Sequence, residues 1–372
     1  MRSQTLKARF LLGLVAAFLP LAATSAAAAV DLGRLSLPPG FRIEVWAQGI
    51  ANARSLAAGT GETVFVGSRT SGNVYAVVPR AGGGREVRTL FKGLNMPNGV
   101  AFQRGALYVA EVDRIRRYDN IESQLESPPA PVEIAKLPAD KWHGWRYLGF
   151  GPDGKLYVPV GAPCNVCDRD KEDFAVILRM AVDGSQREVV ARGVRNSVGF
   201  TWHPRTRQLW FTDNGRDMLG DEVPACELNR VTRVGEHFGF PFCHQGDIAD
   251  PEFGGLRSCK AATPPAQKLG PHVAPLGLKF YQGRQFPTQY RDQLFIAEHG
   301  SWNRSKPIGY RVMRVKLQGN RVVEYAPFIT GWLGEDGKVA GRPVDILETS
   351  DGSLLISDDV ASVIYRVSYA GP

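Results

Sequence analysis

The sequence is poor in the features that mark several large protein classes. Its 372 residues include only five cysteines, six histidines and five methionines. Beyond the first thirty positions, no run is apolar enough to cross a bilayer, which takes about 20 residues. No block of Lys and Arg occurs. The 45 basic and 37 acidic residues are interspersed and leave a formal net charge of +8, so nothing points to nucleic acid as a partner. The histidines (His143, His203, His237, His244, His272 and His299) share no metal-ligand spacing. The one C-x-x-C, Cys164 to Cys167, is followed by Asp168 rather than His, which excludes covalent haem attachment, and there is no second C-x-x-C to complete a zinc site. Long segments with a 3.6-residue period are also scarce. Glycine and proline are plentiful, at 41 and 25 residues, so the chain reads as many short strands joined by turns.

The first residues have a different character. Arg2, Lys7 and Arg9 precede an apolar run from Phe10 to about Ala23, and the small residues Thr24 to Ala29 follow. This is the order of a secretory signal peptide, with cleavage expected near Ala27–Ala29 and a periplasmic or secreted product. No cysteine follows the run, which argues against a lipid anchor. Residues 30–372 then form one domain with no membrane span. In an oxidising compartment, Cys164–Cys167 and Cys243–Cys259 are the candidate disulfides, leaving Cys226 over.

Within the mature segment one unit recurs six times: a short apolar strand, a turn, a second strand, a loop and a third strand. The second strands are the clearest: Thr63–Val66, Ala106–Ala110, Lys155–Val158, Gln208–Thr212, Gln293–Ala297 and Leu354–Ser357. A unit of this size cannot bury both faces alone, but six arranged radially cover one another. The expected architecture is an all-β, six-bladed β-propeller. Arg42–Ala47 stands outside the six copies and is expected to complete the last blade and close the ring.

Such a ring dictates which residues meet. The first strand of each blade lines the channel, so the residues just before it and the loop after the second strand share one face. Asn98, His143, Arg195, Asn196 and Arg342 take the first position. Asp213 to Asp217 and Glu298 to Arg304 take the second. Arginines, an imidazole, carboxylates and glycines on one rim suit a planar polyanion, a cation and a proton acceptor. Ordinary readings stand beside this one: His143 as a turn histidine, Arg195 and Arg342 as partners of loop acids such as Asp217 and Asp345, and Asp213–Asp217 as an Asx turn.

At these residues the sequence resembles the glucose/sorbosone dehydrogenase family, soluble PQQ enzymes on six-bladed propellers. The resemblance is carried by Trp142–Gly154, Gly193–Ser197, Phe211–Asp217 and Gly341–Asp345, and covers nearly all of the mature chain. It implies PQQ and Ca2+ as cofactors and oxidation of an aldose or a sorbosone-like aldehyde to a lactone or acid. It implies a separate electron acceptor, a cytochrome or a quinone. His143 matches the catalytic base, Arg195 and Asn196 the pair at the quinone, and Arg342 a carboxylate-holding arginine. Arg304 matches a basic loop residue; Asn98, by its place before the second blade's first strand, is expected as a further cofactor contact. The carbonyls of Gly215 and Arg216 match the Ca2+ ligands. Three positions depart from the glucose-oxidising pattern: Trp142 replaces a carboxylate, Pro97 a glutamine and Val344 an arginine. A Ca2+-dependent lactone hydrolase and a non-catalytic carbohydrate-binding propeller are the alternatives.

Overall fold

A computed structural model describes residues 30–169 and 173–371; the signal-peptide expectation falls outside them. Six four-stranded antiparallel units follow one another around a ring, giving a six-bladed β-propeller. The first blade uses Ala53–Ala58, Val64–Ser68, Val74–Pro79 and Arg85–Phe91. The second uses Gly99–Gln103, Ala106–Ala110, Arg114–Tyr118 and Val132–Lys136. In the third, Gly149–Phe150, Leu156–Val160, Val176–Met180 and Glu188–Arg192 carry an extra short parallel strand, Glu236–His237. The fourth has Phe200–Trp202, Leu209–Asp213, Ala225–Arg230 and Gln267–Pro271, and the fifth Pro275–Phe280, Leu294–Glu298, Arg311–Gln318 and Arg321–Ile329. In the sixth, Pro343–Glu348, Leu354–Asp358 and Val363–Tyr369 are joined by Phe41–Gln48, which pairs Phe41 with Tyr369 and Gln48 with Val363. The strand outside the repeats thus closes the ring.

The second strands are buried along their whole length, which explains their near-continuous apolar runs. Aromatic and branched side chains of adjacent blades interlock; Tyr157 of the third blade packs edge-on against Trp202 of the fourth, ring centroids 5.2 Å apart. Near the axis the strands crowd. A Cβ at Gly99 would lie 2.3 Å from the Arg146 carbonyl oxygen, and one at Gly199 would lie 2.2 Å from that of Leu276, so only glycine fits. Polar pegs tie blade to blade there. The Ser55 hydroxyl donates to the Asn98 carbonyl at 2.7 Å, and the Leu56 amide donates to the Asp345 carboxylate at 2.8 Å. Disulfides join Cys164 to Cys167 and Cys243 to Cys259, and Cys226 is a buried free thiol.

Candidate active site

A cavity of about 560 Å3 opens where the loops of five blades converge, and its lining includes His143, Arg195, Asn196, Gly215 and Arg342. His143 sits on the segment leading into the third blade with a left-handed backbone, φ 50°. Two contacts hold it there. Its own carbonyl accepts from Nη1 of Arg146 at 3.0 Å, and Arg146, fully buried, also donates to the carbonyls of Val112 and Pro138. The imidazole Nδ1 lies 2.9 Å from the carbonyl oxygen of Ala162. A carbonyl only accepts, so Nδ1 carries the proton and Nε2 keeps its lone pair. Burial, and next the Arg195 guanidinium, hold His143 well below the ordinary imidazole range, so it is neutral at pH 7 and Nε2 is a competent base.

Arg195 is almost wholly buried and every donor of its guanidinium is taken. Nε donates to the Asn165 carbonyl (2.9 Å). Nη1 donates to the carbonyls of Asn214 (3.2 Å) and Gly215 (2.8 Å). Nη2 donates to Asn165 Oδ1 (2.7 Å) and Asp217 Oδ2 (3.0 Å). Asp217, weighed above as an ordinary ion-pair partner, is one of the five. The backbone amides of Arg195 and Asn196 both donate to the Asp213 carboxylate, which fixes the loop leading into the fourth blade.

The last blade contributes Arg342. Its Nε and Nη2 donate to the carbonyls of His299, Gly300 and Ser301, leaving Nη1 without a partner. It makes no pair with Asp345. The fifth blade's loop brings His299, whose Nε2 donates to Asp359 at 2.9 Å; burial lowers its pKa to about 4, so this imidazole is also neutral.

Two expected residues lie elsewhere. Arg304 does not line the cavity: its guanidinium donates to the Asp221 carbonyl (2.6 Å) and to Glu222 (2.7 Å), which draws it aside. Asn98 is buried beneath the rim, where its amide accepts from Arg54 Nε at 2.7 Å and donates to the Arg146 carbonyl at 3.1 Å. The side chain of Arg216 pairs with Asp250, while the atom expected to bind Ca2+ is its backbone carbonyl. In their place the first blade supplies two arginines that the loop-position argument omitted. Arg54 pairs with Asp359 at 3.1 Å, and Arg69 lies 3.7 Å from the same carboxylate and 5.4 Å from the Trp145 ring centre. Both line the cavity. Their signal was present, since Arg54 stands immediately before the first blade's core residues and Arg69 follows its second strand, the same two positions read in the other blades.

The chain resembles known proteins over most of this architecture. An uncharacterised protein of Borreliella burgdorferi is 36% identical over 352 residues, covering 90% of this chain and 91% of that protein. A PQQ-dependent pyranose dehydrogenase of Coprinopsis cinerea is 31% identical over 284 residues; the match takes in 60% of this chain and only 38% of the fungal protein. The holo PQQ domain of the Coprinopsis cinerea pyranose dehydrogenase superposes with a TM-score of 0.77 at 20% identity, over 90% of this chain and 97% of that one. Residues 255–330 match the family model described as TrAA12-like. The fungal pyranose dehydrogenase match and the TrAA12-like model support membership of the glucose/sorbosone dehydrogenase family.

The residues of the cavity suit the cofactor that those relatives are named for. PQQ is a planar tricarboxylate. Three arginines with uncommitted donors, Arg54, Arg69 and Arg342, line the cavity, and two buried polar atoms in its wall, Asn196 Oδ1 and Trp145 Nε1, have no partner. An acceptor and a donor left unmatched in one wall are what a polar planar ligand would satisfy. Ca2+ fits less well. Of the two carbonyls expected to bind it, that of Gly215 already accepts from the Arg195 guanidinium, whose positive charge would lie beside the ion.

Proposed function

We propose that this chain is a PQQ-dependent dehydrogenase that oxidises an aldose, or a sugar-derived aldehyde of the sorbosone kind, to a lactone or acid. The observation that carries the reading is the tautomer of His143: Nδ1–H fixed on Ala162, with an unprotonated Nε2 on an arginine-lined cavity. PQQ, when bound, supplies a quinone that takes up two electrons as hydride. Arg54, Arg69 and Arg342 hold its carboxylates. His143 Nε2 removes the proton from the anomeric or hydrate hydroxyl of the substrate. Arg195, cationic and desolvated, stabilises negative charge that develops near it without reorienting. Exposed indoles at the rim, Trp142 and Trp302, flank the entrance and keep the bulk solvent side apolar. Electrons leave to a separate acceptor, a cytochrome or a quinone. The two disulfides suit an exported protein.

The test is a titration of the purified protein with PQQ, with Ca2+ or with a chelator, followed by dye reduction across aldoses and sorbosone-like aldehydes. Saturable PQQ binding and PQQ-dependent reduction are expected, and His143→Ala is expected to retain PQQ while losing about 100-fold or more in turnover. Absence of PQQ binding, or lactone hydrolysis by the PQQ-free protein, overturns the reading. Binding that requires added Ca2+ would show that the ion takes part in seating the cofactor.

A further inference from the structure

The loop closed by Cys164 and Cys167 lies outside every motif that carries the family resemblance, yet it supplies two of the five acceptors around the Arg195 guanidinium. Asn165 sits inside that loop. Its backbone carbonyl accepts from Arg195 Nε at 2.9 Å, and its side-chain Oδ1 accepts from Arg195 Nη2 at 2.7 Å. The same Oδ1 accepts from the Asp217 amide at 2.9 Å, and Asn165 Nδ2 donates to the Asp217 carbonyl at 3.2 Å. Asp217 completes the triangle by accepting from Arg195 Nη2 at 3.0 Å. One amide side chain therefore binds the guanidinium at the cavity and the loop between the second and third strands of the fourth blade. Just upstream, Ala162 donates its amide to the Arg195 carbonyl at 2.8 Å and accepts from His143. The segment 162–167 thus touches both residues assigned to the chemistry.

We propose that Asn165 is the positioning residue for Arg195, and that the Cys164–Cys167 bridge acts as the tether that keeps Asn165 in place. A guanidinium with five donors takes a fixed orientation only if acceptors surround it. Two of those acceptors are Asn165 atoms, and a third, Asp217, is itself held by Asn165. A disulfide across three residues limits the conformations open to the loop between them. In Asn165→Ala, Arg195 keeps Asp217, the two loop carbonyls and the backbone carbonyl of residue 165 but loses the side-chain acceptor that fixes the tilt of Nη2, and Asp217 loses both of its contacts with the Asn165 side chain. The proposal rests on the dehydrogenase reading for its kinetic consequences and not for its structural one.

The experiment compares wild type, Asn165→Ala and the double variant Cys164→Ser/Cys167→Ser by three measurements. Losing a hydrogen bond to a charged group predicts a fall of about tenfold to hundredfold in kcat in Asn165→Ala, with little change in PQQ affinity or sugar KM. The double variant moves the same way by a smaller factor. Melting temperatures within a few degrees of wild type separate positioning from unfolding. The third measurement needs no cofactor: the NMR titration of the His143 ring, which moves to higher pH as the Arg195 charge drifts from it. Unchanged His143 titration in Asn165→Ala overturns the proposal whether or not PQQ binds. Failure of wild type to bind PQQ overturns the dehydrogenase reading alone.

Discussion

His143, the proposed base, shows how much structure is needed to keep an imidazole neutral. Its neutral form depends on burial and on Arg195, and its proton is parked on Nδ1 by a single carbonyl. Because its pKa is lowered, the base stays unprotonated as pH falls through the ordinary histidine value of 6.5. The pH profile of kcat/KM should therefore stay level through pH 6 and decline only in more acid buffer; a half-maximal point near 6.5 would show that His143 is not the base. A second residue-scale test concerns Glu227, fully enclosed beside Asp213. Burial, and then the Asp213 charge, push its carboxyl up from 4.5. Asp213 has the backbone amides of Arg195 and Asn196 to stabilise its charge, so Glu227 is the one that keeps a proton. The folded state then binds a proton that the unfolded chain has lost. That contribution is complete below pH 4.5 and disappears as pH rises through the raised value. Glu227→Gln should flatten the fall in melting temperature between about pH 5 and pH 9, measured by calorimetry in matched buffers.

Elements decide where such residues stand. The turn after Leu156–Val160 carries Gly161, and a Cβ there would lie 2.6 Å from that of His143 and 3.2 Å from the Arg195 carbonyl oxygen. Gly161→Ala is expected to push His143 off its carbonyl and lower turnover about 10- to 100-fold, with a destabilisation of about 1–3 kcal/mol. Steady-state kinetics and a thermal melt check both. The strands themselves were legible unevenly. Second strands such as Leu294–Glu298 are buried throughout and stand out as apolar runs. The outermost strands were not visible in the sequence: Val132–Lys136 has no fully buried residue and Arg85–Phe91 only one, so neither face imposes a clear alternation. At the site, the position rule brought His143, Arg195, Asn196 and Arg342 to one cavity. It failed for Arg304, because a partner on another loop, Glu222, decides where a long side chain goes. Asn165 was hidden for a related reason: its partners are 30 and 52 residues away, and only the fold brings them together.

At the scale of the whole molecule, the ring makes the site a shared property of the blades. Arg54 from the first blade and His299 from the fifth bind one carboxylate, Asp359 of the sixth, so loosening any of the three blades disturbs a wall of the cavity. Deleting Phe41–Gln48 exposes the edge of Val363–Tyr369 and removes apolar residues that pack on the core between the fifth and sixth blades. The truncated protein should lose its single cooperative melt and associate through the open edge, as size-exclusion chromatography and calorimetry would show. Retention of a monomeric, sharply melting species would mean that five complete blades and an incomplete sixth suffice.

The pairing of Phe41 with Tyr369 also sets a clock on biogenesis. The seam joins the first strand of the ring to the last, so every blade must be synthesised before the circle can be fastened. Until then the early strand waits without its mate, a long-range contact of the kind that slows folding. A stop before Val363 leaves Phe41–Gln48 unpaired and the ring open.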